Sequence, residues 1–157
     1  MQKFFFEDDG FIPNSRFPVL LIYRAIDFRR MHLVESEAML KACARETDWN
    51  LEWLWTVYKG PHYHSTTHEA LVVCRGTATL CLGGHRLGNL VCVRRGDAIV
   101  IPAGVAHQAV KRSRNFLVFG LYPIGAEPYD MRYCRKKERS IALSNLILLG
   151  EPPEFKL

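Results

Sequence analysis

The amino-acid sequence predicts an all-β fold, either a closed barrel or two packed sheets, with one helix outside it. Many short apolar segments, rich in branched and aromatic residues, are separated by glycine, proline and charged residues. Short strands at this spacing are typical of barrels and sandwiches. One segment alone contains a run of good helix formers, so the helix is an accessory to the β core.

The predicted strands run through most of the chain. "FPVLLIYRAI", Phe17 to Ile26, is short and branched, whereas "NLEWLWTVYKG", Asn50 to Gly60, alternates aromatic and polar positions. Glycines 83 and 84 can supply the positive φ angles of a tight hairpin. The remaining predicted strands are "EALVVCRG", "TATLCLGG", "NLVCV", "DAIVIP", "HQAV" and "FLVFGLYP".

The predicted helix is "ESEAMLKACARETDW", Glu35 to Trp49. Met39, Leu40 and Cys43 share one side of it. Glu37 and Lys41 form a favourable pair four residues apart on the helix. We expect this helix to cover the β core.

Composition indicates one compact domain, residues 1–157, in a chain with 48% hydrophobic residues. The first residues contain neither a secretory h-region nor a membrane span, which predicts a cytoplasmic protein without a membrane partner. The net charge is +5, but the basic runs 111–114 and 135–139 lack interleaved aromatic residues, so we expect no nucleic-acid partner. The five cysteines are interpreted as small buried hydrophobes.

The stretch "HYHSTTHE", residues 62–69, holds three of the six histidines of the chain together with a glutamate. A surface loop gives no reason for this density, whereas a divalent metal does. In an extended segment, residues two apart point the same way, so His62 and His64 can converge while Tyr63 faces away. Glu69 has the parity of the apolar Leu71, which predicts an inward carboxylate.

His68 has the opposite parity to Glu69 and Leu71, so we expect it to point away from this cluster. It would then either orient a ligand or lie at the surface. A fourth ligand-type side chain occurs in "GDAIVIPAGVAHQAV", residues 96–110. Pro102 and Gly104 mark a turn, after which His107 opens the next strand.

The two stretches read H-x-H-x4-E-x6-G, residues 62–76, and G-x5-P-x-G-x2-H, within residues 96–111. They resemble the two motifs of the cupin superfamily, whose fold is a small antiparallel jelly roll. The resemblance implies one divalent transition-metal ion, Fe, Mn, Ni, Zn or Cu, bound by His62, His64, Glu69 and His107. The chain departs from the motifs at Thr56, usually glycine, and at Lys111, usually asparagine. With "GLYP", it is further similar to the small bacterial YjlB-like cupins, a group that brings no known reaction.

This resemblance leaves three functions open. The first is a metal-dependent enzyme of dioxygenase type that acts on a small polar or anionic molecule in the barrel. The second is a metal-dependent isomerase, epimerase or lyase, in which Tyr63 or His68 moves the proton. The third is a non-catalytic metal- or ligand-binding module. Fold resemblance does not rank them, because the superfamily contains all three.

Other residues carry weaker expectations. Trp53, Trp55 and Tyr58 are interpreted as core or dimer packing rather than as surfaces for substrate stacking, because aromatic side chains bury large areas wherever they lie. Lys111 can either steer an acidic substrate or lie solvated at a strand end. Exposed strand edges near the amino terminus, at residues 4–6 and 19–23, predict a two-fold homodimer.

Overall fold

The computed structural model describes residues 1–156 and contains nine strands and two α-helices. Helix α1 covers Leu33–Arg45, and helix α2 covers Arg139–Ile147 directly after a 3-10 turn at Lys136–Glu138. The strands are β1 Gln2–Phe6, β2 Ser15–Ile22, β3 Trp49–Trp55, β4 Glu69–Arg75, β5 Thr77–Leu82, β6 Asn89–Arg94, β7 Ala98–Ile101, β8 His107–Arg112 and β9 Leu117–Pro123.

Two antiparallel sheets form the molecule. The larger has the strand order β1-β2-β7-β4-β9-β3, and the smaller has the order β6-β5-β8. Strands distant in sequence are therefore neighbours, as in β4 between β7 and β9. The predicted fold class, an all-β antiparallel jelly roll with an accessory helix, is confirmed.

The space between the two sheets holds the main apolar core. Leu71 and Val73 of β4 meet Leu80 and Leu82 of β5 within it. The alternate residues of β4, such as Val72, lie in a second core on the other side of the large sheet. Because β4 is buried on both faces, its sequence is a continuous apolar run.

Helix α1 covers that second core with Leu40 and Ala44. It begins two residues before the predicted start, where the backbone N–H of His32 donates to the Glu35 carboxylate at 2.7 Å. It also ends earlier than predicted, because Asp48 has a φ of 58°. Trp49, predicted as the last helical residue, is instead the fully buried first residue of β3.

Two further predictions need correction. Strand β2 lies between β1 and β7, so residues 19–22 are not free to pair with a partner; β1 is an edge strand of that sheet. The cysteines are also not uniformly buried, since Cys92 is exposed on β6. The positive φ angles of Gly83 and Gly84 are confirmed, in a connection that runs to residue 88.

Helix α2 begins at Arg139, the last residue of the basic run at residues 135–139, where the sequence did not predict a helix. Ala142 buries against Tyr63 and Ile12, and this contact holds the helix on the barrel. Among residues 1–156, no helix has the length and apolar character required to cross a membrane.

Candidate metal centre

An extended segment between β3 and β4 positions the first two histidines. The backbone groups of His62 pair with those of His107, with N···O distances of 3.2 and 2.8 Å. On its other side, Tyr63 pairs with Arg132 at 2.9 and 3.0 Å. This double pairing keeps the segment extended, so His62 and His64 point to one side and Tyr63 to the other.

Four buried side chains converge at this point. The ligand-type nitrogens of His62, His64 and His107 all lie within 4.8 Å of one another. The Glu69 carboxylate lies 3.5 Å from Nε2 of His64 and 3.1 Å from Nε2 of His107. The structure thus brings together all four side chains that the sequence singled out as ligands, and Glu69 points inward as alternation predicted.

The backbone sets the proton position on each of the three imidazoles. Nδ1 lies 3.1 Å from the Gly60 carbonyl in His62, 2.5 Å from the Asp130 carbonyl in His64, and 3.3 Å from the Val105 carbonyl in His107. A carbonyl oxygen only accepts hydrogen bonds, so Nδ1 is the nitrogen that carries the proton. In the neutral ring, Nε2 then presents its lone pair to the centre of the cluster.

This donor set fits a divalent transition metal. Neighbouring ligands about 2.1 Å from one ion are separated by about 3 Å, close to the separations between Glu69 and its two histidines. Imidazole nitrogens with one carboxylate suit iron, manganese, nickel, zinc and copper alike. The cluster therefore indicates a divalent metal without selecting one.

Electrostatics within the cluster favour neutral His62 and ionised Glu69. Burial and the neighbouring His107 lower the pKa of His62 to about 3. Burial alone would raise the pKa of Glu69, but His64 and His107 outweigh it and hold that pKa below its usual range. Burial acts to lower the pKa of His64, whereas Glu69 raises it overall, so a proton competes with a metal for this nitrogen.

Glu69 is held by a chain of hydrogen bonds from outside the cluster. The Tyr122 hydroxyl donates to Oε1 of Glu69 at 3.0 Å and accepts from the Trp53 indole N–H at 3.1 Å. Burial and the adjacent Glu69 raise the pKa of Tyr122, so its proton stays on oxygen. Such contacts fix the orientation of a metal-binding carboxylate.

The loop that follows β9 completes the support of His64. Asp130 accepts the His64 Nδ1 proton with its carbonyl, and its carboxylate accepts from the backbone N–H of Ser65 at 2.5 Å. Arg132 donates to the same carboxylate at 2.6 Å. Asp130 thus ties this loop to both the backbone and the side chain of the histidine segment.

Tyr63 and His68, the two predicted proton-transfer candidates, do not line the cavity beside the cluster. Tyr63 is fully buried among Ile12, Ala106 and Ala142 on the opposite side of its segment. His68 is buried too, and its Nδ1 accepts from the Ala103 backbone N–H at 2.9 Å. Tyr63 alternates with His62 and His64 before the bend at residues 65–66, and His68 alternates with Glu69 after it, so each points away from the cluster.

A cavity of about 220 Å³ opens onto the cluster. Five aromatic rings line it, together with a few apolar side chains and Thr56. Trp53 packs against the main core as expected and also lines this cavity, whereas Trp55 and Tyr58 are exposed at it and do not belong to the core. Lys111 lies on a separate groove outside the small sheet.

Comparison with known proteins agrees with this arrangement. Residues 53–118, which contain all four clustered side chains, match the cupin domain family. The chain is also 34% identical over 145 residues to the uncharacterised protein YjlB of Bacillus subtilis, an alignment that covers 92% of this chain and 82% of YjlB. The chain belongs to the YjlB-like cupins.

Solved structures resemble this cupin more distantly. The TDP-quinovose 3,4-ketoisomerase WlaRB of Campylobacter jejuni has 14% identity and a TM-score of 0.46, over 64% of this cupin and 81% of that chain. HEPD of Streptomyces albus, solved with 2-hydroxyethylphosphonate and Fe(II), has 11% identity and a TM-score of 0.38, over 44% of this cupin and 16% of that chain. Likeness at this level carries no information about the reaction.

Three functional features of this cupin had no clear signal in its sequence. Tyr122 lies within "GLYP", but only the pairing of β9 with β4 brings its hydroxyl to Glu69. Asp130 and Tyr129 lie in a loop without any recognisable motif. Asp130 contacts Ser65 and Thr66, which lie in a distant loop. The sequence does not show that these two loops meet, so it gave no usable signal for Asp130.

Proposed function

We propose that this cupin is a metal-dependent enzyme in which His62, His64, Glu69 and His107 bind one divalent transition-metal ion and the adjacent cavity binds a small organic molecule. The observation that carries the proposal is the common orientation of the three imidazoles. Each Nδ1 proton is donated to a backbone carbonyl, which leaves the three Nε2 lone pairs directed at one point. A purely structural cluster does not require that all three rings share one tautomer.

Oxidation of the bound molecule by dioxygen is the reaction we propose first. A metal with four protein ligands has two further coordination positions when it is octahedral, and it then supplies Lewis acidity and electron transfer to bound molecules. The cavity meets the cluster on the side lined by Trp55, Tyr58 and Tyr129, so that side is where the molecule would enter.

The other two functions have less support from the geometry. Isomerase chemistry needs a group that moves a proton, and both candidates from the sequence, Tyr63 and His68, lie away from the cavity, so this role would pass to Tyr58 or Tyr129 in the lining. A purely structural site needs protein groups that close the coordination sphere. Among residues 1–156, the cavity side of the cluster has aromatic and apolar neighbours rather than additional ligand-type side chains.

Elemental analysis tests the metal site. Protein purified without chelator or added metal should contain one transition-metal ion per chain, and His64→Ala should lose it. His85→Ala is the matched control, because His85 is an exposed histidine in the loop between β5 and β6. Equal metal content in both variants would remove the proposed site.

Oxygen consumption tests the reaction type. The iron-loaded protein should consume dioxygen when a small chelating substrate is supplied, and consumption should stop when His107→Ala removes the ion. Conversion of the substrate to an isomer without oxygen uptake would instead favour the isomerase function. Metal binding without turnover of any chelating molecule would favour the binding module.

A further inference from the structure

Charge is distributed unevenly between the cavity and the surface of this cupin. The chain has 21 lysine and arginine residues, yet none of those in the described part lines the cavity. Arg112 donates from its guanidinium to the hydroxyl of Thr56, a lining residue, at 2.7 Å, but its side chain belongs to the outer groove. Glu69 is the single carboxylate in the lining.

This charge pattern disfavours phosphorylated ligands. Proteins recognise phosphates and multiple carboxylates with arginine, lysine or helix N-termini. Three neutral imidazoles and one carboxylate around a divalent ion leave a local charge of about +1, enough for one anionic donor. A phosphate group deeper in the cavity would have no cation to balance it.

The polar groups next to the histidine cluster are already in use. The Trp53 indole N–H bonds to Tyr122, and the Tyr122 hydroxyl bonds to Glu69. Each imidazole uses Nδ1 on a carbonyl. The Trp55, Tyr58 and Tyr129 side chains carry further polar groups in the lining.

Aromatic faces are what the cavity offers instead. Tyr122 and Tyr129 stack with centroids 5.2 Å apart and an interplanar angle of 20°, and Tyr58 meets His62 edge-on. Trp55 is 65% exposed and Tyr58 is 59% exposed at the cavity mouth. Large aromatic surfaces left uncovered beside a pocket are suited to stacking on a flat ligand.

We infer that the cavity binds a flat, single-ring molecule with at most one negative charge, whose oxygen donors face the histidine cluster, and that it excludes phosphorylated molecules. A cavity of about 150 Å³ holds one benzene ring, so about 220 Å³ leaves room for a ring with small substituents. This inference rests on the proposed function, since the donors are directed at the metal.

Three hydroxamates with one chelating group test the inference. Benzohydroxamate has a flat ring, cyclohexanecarbohydroxamate has a ring of similar size without π faces, and 4-carboxybenzohydroxamate adds a remote negative charge. Binding to the cobalt-loaded protein is measured from the cobalt absorption bands and by calorimetry. We expect benzohydroxamate to bind about tenfold more tightly than either of the other two.

Aromatic variants link that preference to the mouth of the cavity. Trp55→Leu should reduce the preference for the flat ring to within about twofold, and Tyr58→Leu should reduce it in the same direction. Tyr133→Leu is the matched control, because Tyr133 is 55% exposed and lies outside the cavity lining. Equal affinity for the flat and the saturated ring, or tighter binding of the carboxylated probe, would overturn the inference.

Failure of the proposed function gives a different result. If cobalt does not bind at the histidines, the hydroxamates produce no change in cobalt absorption in any variant. The ring preference is then measured on the metal-free chain, with benzamide and cyclohexanecarboxamide as probes and the tryptophan indole NMR signals as the readout. Perturbation by benzamide that is lost in Trp55→Leu would support the aromatic site, and equal perturbation by both probes would contradict it.

Discussion

His64 and His68 lie four residues apart in one segment and have nearly the same burial, 5% and 6% exposed, yet their rings are bonded in opposite senses. His64 donates its Nδ1 proton to the Asp130 carbonyl, which frees Nε2 as a ligand. His68 accepts the Ala103 N–H at Nδ1, so in the neutral ring its proton lies on Nε2. Burial therefore does not distinguish the two residues, whereas the partner of Nδ1 does.

The same contrast separates the two sides of the large sheet near β4. On the inner side, the histidines face a cavity, and Glu69 raises the pKa of His64. On the outer side, burial lowers the pKa of His68 to about 4, with a backbone hydrogen bond to Gly150 acting in the other direction. The inner site is prepared to bind a cation, and the outer site joins the turn at Ala103 to the carboxyl-terminal region.

The largest effect is expected from removing an inner histidine. His64→Ala removes one of the three converging Nε2 atoms and should reduce metal content below detection, whereas His68→Ala should leave the metal content unchanged. Elemental analysis of the two variants purified side by side measures the difference. Loss of metal from His68→Ala in a folded protein would break the comparison.

A smaller effect on the same side is expected from Tyr122→Phe. This change removes the hydroxyl that donates to Glu69 and should weaken metal affinity by about 10- to 100-fold, because contacts of this kind orient ligands. Competition with a chromophoric chelator measures the affinity. Tyr129→Phe is the control, since the Tyr129 ring stacks on Tyr122 but makes no hydrogen bond to Glu69. Equal weakening in both variants would assign the effect to ring packing.

On the outer side, His68→Ala should affect stability. The buried Ala103 N–H loses its acceptor, and we expect a loss of about 1 to 3 kcal/mol in the free energy of unfolding. Urea denaturation measures it, with both proteins stripped of metal. The exposed His85→Ala should stay within about 0.5 kcal/mol of the parent. A neutral His68→Ala would mean that water replaces the lost acceptor.

Local alternation explains which parts of this comparison could be predicted. Within each extended piece a period of two turns Tyr63 away from His62 and His64, and turns His68 away from Glu69. The bend at residues 65–66 separates the two pieces, so alternation does not relate His64 to His68 or Glu69. The cupin motifs added His107, which no local rule connects to the other histidines. These predictions concern residues whose placement depends on short segments with strong patterns.

Contacts between distant segments could not be predicted in this way. Tyr122 reaches Glu69 through the register of β9 on β4, and Asp130 reaches His64 through a loop that has no regular pattern. Trp55 and Tyr58 were assigned to packing because aromatic residues are usually buried, and hydrophobicity alone does not separate a core from a cavity wall. Helix α2 was missed because the charged run before it dominated the pattern.

The smallest effect is expected at Asp8, an exposed counterpart of the buried Glu69. Asp8 pairs with Arg139 of α2, and about a third of each side chain is exposed. Burial acts to raise the pKa of Asp8, but the hydrogen bond from Arg139 lowers it overall.

A carboxyl group whose pKa is lower in the folded chain stabilises the fold above its unfolded pKa of 3.8, and this stabilisation is lost as the pH falls through the folded value. Because solvent screens the pair, Asp8→Asn should cost about 0.5 kcal/mol at neutral pH and nothing once the pH is well below 3.8. Urea denaturation of the parent and Asp8→Asn at both pH values, repeated in an Arg139→Gln background where the difference should vanish, measures this term. A difference that stays constant as the pH falls would mean that the effect does not come from the charge of Asp8, and it could not come from the Gly10 N–H either, because the asparagine oxygen also accepts that hydrogen bond.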